Sequence, residues 1–412
     1  MTVLPDKTRL ISLDALRGFA VMGILAMNII GFAMPEWAYV SPGAYGGETP
    51  ADRISWFFSF ILVDGKMRGL FSLLFGASMM LIIERAEAKQ QSAARTHYAR
   101  MFWLALFGLA HYFLLWFGDI LFTYAMIGCV AFLMHEWEPK RLIKWALIVY
   151  GLGFILWIAQ LGSLQFLQWA AGQPGADPDI IGNFREVMAG DDFNANVASE
   201  LALHRGSWAG IFTAKVTEWW LPFGAVLQAI TETLPLMMLG VAMKKNGFLT
   251  GDWADADYRR WINRLLPAGL LSTAALAAFA WFSNFNLVHT LAIFMAWSAI
   301  PRLMLTIAYA ALLILSIKRL SGSAFLDRVA ATGRAAFTNY LGTTIVMTTI
   351  FYGYGLGLYG YVSRPALWLF VLGAWAVMLL WSKPWLDRFQ YGPLEWLWRS
   401  LARMELQPMR RV

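Results

Sequence analysis

The sequence predicts an all-α fold, a polytopic transmembrane helix bundle of about ten spans. Three observations predict it. The 412 residues are 59% hydrophobic and only 14% charged, whereas soluble domains carry roughly 25% charge. Apolar runs of about 20 residues, enough to cross a ~30 Å hydrocarbon layer, recur from end to end. No segments of about ten residues with alternating polarity occur, which argues against a β-barrel.

The apolar runs fall at about 17–35, 66–83, 101–117, 120–135, 142–164, 220–243, 265–283, 291–317, 335–353 and 366–383. The N-terminal MTVLPDKTRL lacks a cleavable signal pattern, so the first run is expected to remain as a span. Loop charge orients the chain. With the N-terminus in the cytoplasm, 25 of the 33 basic residues fall on cytoplasmic segments. Only Arg53, Arg185, Arg205, Lys215 and Arg364 lie outside, while Lys66, Arg68 and Arg302 sit in or beside spans. This positive-inside bias places both termini in the cytoplasm, which requires an even number of spans. It also accounts for the net charge of +7 without nucleic acid as a partner. One integral membrane domain over 1–412 is expected, with five spans in 1–164, an external segment at 165–215 and five spans in 216–412. The external segment contains GQPGADPD and AGDDFNAN, which suit loops with short helices. The lone Cys129 permits no disulfide framework, and no zinc-ligand motif occurs.

Residues 107–128, FGLAHYFLLWFGDILFTYAMIG, must reverse direction. One helix over 101–135 would be about 50 Å long at 1.5 Å per residue. WFGDIL at 116–121 is the turn, Gly118 supplies the reversal, and Asp119 can cap the next helix. His111 then lies roughly 10 Å below the external face. A buried histidine serves either as an interhelical hydrogen-bonding group or as a base, and ionisable groups at this depth are functional candidates.

Other polar residues share this double reading. Asp14 and Arg17, i and i+3 in SLDALRG, can pair at the start of the first span. Asn28, roughly 16 Å further in, needs a partner and can be helix glue or a substrate contact. Asp64, Lys66 and Arg68 cluster between ISWFFSFIL, too short to span, and the next apolar run. Gly65 and Gly69 permit a broken helix near 64–69. Lys66 and Arg68 at a helix N-terminus suit an anion, or else snorkel to headgroups. Glu232, near mid-bilayer before the kinking Pro235, calls for neutralisation or a partner, for which Arg302 is available. Asn339 and Tyr340, in GRAAFTNYLGTT, can pack helices or line a substrate path. His289 is placed at the outer end of its span, and His97, His135 and His204 in loops or interfaces. No P-loop, GxGxxG in a strand–helix context, HExxH or nucleophile elbow occurs, which argues against a P-loop ATPase and a soluble-type hydrolase.

Several stretches carry a family resemblance: SLDALRGFAVMGILAMNI (12–29), AYVSPGAYGGETPAD (38–52), KMRGLFSLLFGA (66–77), GLAHYFLLWFGDILFTYAMIG (108–128), MMLGVAMKKNGFL (237–249), GRAAFTNYL (333–341) and GPLEWLWRSL (392–401). They resemble the YeiB-like inner-membrane proteins of bacteria, whose C-terminal half is known as domain of unknown function 418. That resemblance implies a multi-pass bacterial inner-membrane protein, in a family often described as associated with transport. The opening R-x-x-SLDALRG with Asn28 also resembles the start of the heparan-α-glucosaminide N-acetyltransferase group. Those enzymes move an acyl group from cytosolic acyl-CoA to an acceptor across the membrane, with a histidine in the cavity. This chain has no histidine between residues 29 and 96, so His111 is the deep candidate for that role.

Two functional expectations follow. In the first, a transmembrane acyltransferase uses acyl-CoA, such as acetyl-CoA, as co-substrate and needs no metal. His111 acts as base, Asp119 orients it, Asn28 positions the acyl carbonyl, and Lys66, Arg68 and Arg17 attract phosphates. In the second, a transporter or channel carries a small anionic solute, with Glu232, His111 and Asp119 as protonation sites and 64–69 as a gate. A lipid- or partner-binding scaffold is the third. The lipid bilayer and a small-molecule substrate are the expected partners, and small-residue faces permit a homodimer.

Overall fold

The computed structural model describes residues 6–189 and 193–410. Among these, α-helices dominate and no strand occurs; Phe389 and Arg410 form an isolated bridge. In chain order the helices are α1 (Asp6–Ala33), α2 (Glu36–Val40), α3 (Pro50–Leu62), α4 (Lys66–Ala88), α5 (Ala93–Leu114), α6 (Leu121–Phe132), α7 (Pro139–Ala171), α8 (Pro178–Ala189), α9 (Phe193–His204) and α10 (Trp208–Thr217). There follow α11 (Leu221–Lys245), α12 (Asp255–Phe282), α13 (Leu287–Ala292), α14 (Ala299–Arg319), α15 (Ala324–Arg334), α16 (Ala336–Phe351), α17 (Arg364–Arg388) and α18 (Pro393–Arg403). A π-turn at Ile293–Trp297 joins α13 to α14.

The fold is an all-α polytopic bundle. Each of the ten apolar runs coincides with a helix, and short helices α8, α9 and α10 occupy the expected external segment. Among the described residues, seven spans are long and apolar enough to cross a membrane: Ser12–Ala33, Pro50–Ala88, Pro139–Ala171, Leu221–Lys245, Asp255–Phe282, Ala299–Arg319 and Arg364–Arg388. α6 and α16 are shorter, at 12 and 16 residues. The aromatic run at 54–62 joins α4 in the Pro50–Ala88 span, interrupted at Val63–Gly65; Gly65 marks the break, whereas Gly69 lies within α4 and packs on Thr306.

Burial separates inner from outer helices. In α1, 78% of the apolar window is buried, against 22% in α7, α12 and α17. Leu16, Leu25 and Phe32 of α1 belong to the main core with residues from α4, α14, α15, α16 and α17. The outer helices expose Leu156, Leu271 and Leu380, a surface that suits lipid tails. Lipid is as apolar as leucine, so helices in a bilayer gain by approaching closely through small residues. α4 and α11 do so. A Cβ added at Gly76 would strike the Met237 carbonyl, and one at Gly240 would strike the Leu73 carbonyl.

Local chemistry sets the interruptions. α3 begins with a capping box, in which Thr49 accepts from the Asp52 amide at 3.2 Å and the Asp52 carboxylate accepts from the Thr49 amide at 3.1 Å. Gly65 adopts φ +68° at the α3–α4 break, a conformation that disfavours a side chain. Pro235 lies inside α11 and lacks an N–H, so the Thr231 carbonyl loses its helical donor one residue before Glu232.

Candidate functional site

Two polar clusters gather most of the candidate residues. The first stands where interrupted helices meet. Arg68, in the first turn of α4, places Nη2 2.8 Å from Glu232 Oε2, midway along α11. Arg302, in the first turn of α14, places Nε 3.4 Å from Glu232 Oε1. Two guanidiniums therefore share one carboxylate. The Arg68 contact is a hydrogen-bonded ion pair. The Arg302 contact is an ion pair only, because neither Glu232 Oε1 nor Arg302 Nε has a hydrogen-bond partner. Arg302 Nη2 donates to the Phe294 carbonyl of the π-turn at 3.4 Å. The side chains of Arg68 and Glu232 are partly open, at 35% and 23% exposure, while that of Arg302 is sealed at 5%. The arginines thus meet one face of Glu232 from inside the bundle and one from a crevice.

Lys66 is adjacent but otherwise engaged. Its ammonium donates to the Phe60 carbonyl at the end of α3 and lies 5.0 Å from the Phe60 ring centroid. Asp64 stands at the break beside it, facing the Tyr39 hydroxyl. The helix end itself offers little to an anion. The amides of Lys66 and Met67 already donate to the Asp64 and Val63 carbonyls. Positive charge here comes from side chains, which departs from the helix-terminus expectation. A cavity of about 30 Å³ opens next to Asp64, lined by Tyr39, Ser55, Ser59 and Phe294. It has room for a water or two.

The second cluster is the turn at 115–120. His111 Nδ1 lies 2.8 Å from Asp119 Oδ1, so the two side chains meet across the turn, a contact that the sequence left open. Asp119 Oδ2 accepts from the Phe122 amide at 2.8 Å and caps α6, so both readings of this residue hold together. The carboxylate assigns the proton to Nδ1, which leaves Nε2 facing Thr344 Oγ1 at 3.0 Å. Side-chain exposure is 0% for His111 and 3% for Asp119. Tyr340 packs its ring 5.3 Å from the imidazole, and its hydroxyl donates to the Gly118 carbonyl at 3.4 Å. α6 links the two clusters. Asp119 caps it, and Tyr124 hydrogen-bonds Ser72 at 2.6 Å and the Arg68 carbonyl at 3.3 Å.

The remaining candidates stand apart. Asp14 and Arg17 pair at 2.6 Å, and Arg17 also donates to Ser78. Ser78 lies ten residues beyond Arg68 on α4, roughly 15 Å along the helix. Arg17 is therefore not in one site with Lys66 and Arg68. Asn28 is buried on α1, and among the described residues no hydrogen bond joins it to His111, Asp119 or Arg17. Asn339 is fully employed as a staple. It donates to the Thr332 carbonyl and Ser382 and accepts from Trp381 Nε1. Of the loop and interface alternatives, His97 and His204 take the interface: both are buried, His97 against the Gly128 carbonyl of α6 and His204 against Tyr352 and Tyr359.

Sequence reasoning missed Thr344, Tyr39, the π-turn and Glu395. The Glu395 carboxylate accepts from the Phe337 and Thr338 amides at the start of α16. The acidic residue after Gly392-Pro393 was its signal. The partner helix, far away in the chain, had none.

Comparison with known proteins places the chain. A family profile described as "Protein of unknown function (DUF418)" matches residues 242–405. YeiB of Escherichia coli (strain K12), described as uncharacterized, is 30% identical over 96% of this chain and 96% of its own length. YxaH of Bacillus subtilis (strain 168) is 30% identical over 96% of this chain and 95% of its own. An uncharacterized 39.9 kDa protein in the amylase 3' region of Bacillus acidopullulyticus is 24% identical over a similar extent. No solved structure matches. End-to-end likeness at this level, on a helical bundle of the expected kind, makes the chain a member of the YeiB-like DUF418 family.

Proposed function

We propose that this protein binds a small anion within the membrane and moves it across the bacterial inner membrane. The observation that carries this reading is the pair of arginines sharing Glu232 at the junction of interrupted helices. Two guanidiniums converge on one carboxylate that does not use all their donors, and an anion from outside the chain can take up what is left. Broken helices and π-turns at membrane depth are tolerated where they line a functional path. In the charge-derived orientation Arg68 starts α4 toward the periplasmic side and Glu232 stands near mid-bilayer, which supports an approach from outside.

The test is current on proteoliposomes adsorbed to a solid-supported membrane, after jumps in lactate, phosphate or chloride. An anion-specific current that disappears in Arg68→Gln is the expected result. No current for any of the three between pH 5 and 8 would overturn the reading.

Acyl transfer is the second reading, favoured by the 2.8 Å contact between His111 and Asp119. In that reading Nε2 is the base, and acetyl-CoA is the natural co-substrate. Thr344 must first move aside, because its hydroxyl occupies Nε2. Acetyl transfer from acetyl-CoA to an amine or hydroxyl acceptor, abolished in His111→Ala, would support it. No binding of acetyl-CoA at millimolar concentration would remove it.

A further inference from the structure

We infer that Glu232 is the built-in occupant of the anion site, and that the ligand is a carboxylate which takes its place. This rests on the anion reading above and adds the substrate class and the means of access.

Three observations lead here. The two guanidiniums are already arranged around a carboxylate, so their spacing is complementary to that group. The fit is incomplete, since Glu232 Oε1 and Arg302 Nε face each other without a hydrogen bond. A buried guanidinium with an unused donor gains when a better-placed oxygen arrives. The third observation is space. The cavity beside Asp64, at about 30 Å³, is too small for a carboxylate-bearing solute. The much larger cavity of about 580 Å³ lies between α16 and α17, is lined by residues such as Val346, Leu369 and Val377, and includes none of the three cations. Neither cavity seats a ligand beside both arginines, whereas the position of the Glu232 carboxylate touches both.

Glu232 is placed to yield. It is partly exposed at the crevice, and among the described residues no backbone amide or hydroxyl holds its carboxylate. Its charged neighbours come from two helices, Arg68 on α4 and Arg302 on α14. Tyr124 on α6 and Tyr150 on α7 are the titratable groups that face it from the other sides, and Tyr150 is held by the Ala299 carbonyl at 2.7 Å. Swinging the carboxylate toward the crevice frees both guanidiniums. No bond is made or broken; one anion exchanges for another.

The experiment measures binding of radiolabelled lactate, phosphate and chloride to the full chain in nanodiscs. Wild type is compared with Glu232→Gln and Glu232→Asp. Glutamine removes the internal competitor's charge. Aspartate keeps the charge but shortens its reach by one CH₂, and so provides the readout if the glutamine variant does not fold. Lactate binding at least tenfold tighter in Glu232→Gln, and severalfold tighter in Glu232→Asp, is expected. If wild type binds lactate and both variants bind equally or more weakly, Glu232 is no competitor and the inference falls while the anion reading stands. Tightening for phosphate or chloride but not lactate overturns the carboxylate assignment. If no anion binds wild type or variant, the anion reading fails and the inference with it.

Discussion

The Arg68–Glu232–Arg302 cluster and the Asp119–His111–Thr344 chain are both polar groups in an apolar bundle, yet they are built on opposite principles. In the second, each group finds a partner: the carboxylate takes the imidazole N–H and an amide, and Nε2 faces a hydroxyl. It is sealed. In the first, two arginines share one carboxylate with Asp64 and Lys66 close by, two buried atoms lack hydrogen bonds among the described residues, and the crevice side is open. A satisfied network holds a fold together. An unsatisfied one persists where something else completes it. The comparison separates two kinds of deep polar group, one that the fold completes by itself and one that it leaves with an unused donor and acceptor.

The largest expected effect breaks this comparison at Glu232. Glu232→Leu leaves two arginines without a carboxylate and should destabilise the protein by about 3–5 kcal/mol, the usual loss when one partner of a buried pair is removed. Arg302→Met leaves a one-to-one pair and should lose far less, about 1 kcal/mol. Thermal melting of the two variants in one detergent measures the asymmetry. Equal losses would show that the two-to-one sharing has no energetic weight.

His111→Ala tests the other side. It strands Asp119 Oδ1 in the interior, while Thr344 keeps the Tyr340 carbonyl and Asp119 Oδ2 the Phe122 amide, and should remove about 1–3 kcal/mol. Anion-dependent current should persist in whatever fraction still folds. Loss of current with normal folding would tie the relay to transport.

A smaller effect lies outside the spans. The Glu200 carboxylate accepts from the Glu36 amide at 2.9 and 3.0 Å and from the Tyr359 hydroxyl at 3.0 Å, fastening α9 to the start of α2 and to the loop after α16. Burial raises its pKa from 4.5 to about 7, outweighing these hydrogen bonds. Between those values the docked form holds a proton that the undocked form releases. Docking is therefore strongest below pH 4.5, weakens as pH rises toward 7, and is level above that. Melting temperatures from pH 4.5 to 8 should fall more steeply in wild type than in Glu200→Gln. Parallel curves would show that Glu200 does not set the dependence.

Much of this was legible in the sequence, and for physical reasons. Apolar run length located the helices. Helix length forced the reversal at 116–121, which brought Asp119 back toward His111. Gly65 signalled the break before Lys66. Charge complementarity named Arg302 for Glu232, but nothing local joined Arg68, 164 positions away, to the same carboxylate. Pairings of that range are decided by which helices pack together. The π-turn was unreadable because its residues, IFMAW, are those of any apolar helix. Arg17 was grouped with Lys66 and Arg68 on chemistry alone, and the length of α4 keeps them apart.

The close seam between α4 and α11 has a mechanical consequence. Leu73 and Met237, whose carbonyls press on Gly240 and Gly76, lie five residues beyond Arg68 and Glu232 on the same helices. No spacer separates the two backbones, so α4 and α11 act as one strut, and their ion pair parts by side-chain rotation rather than by helix movement. Sliding or rocking of that strut does not separate Arg68 from Glu232. Arg302 rides a different beam, entered through the π-turn at 293–297, where an extra residue per turn gives the chain slack. α14 meets the strut through side chains, Arg302 against Gly65 and Thr306 against Gly69, so the 3.4 Å gap to Glu232 is the looser of the cluster's two contacts.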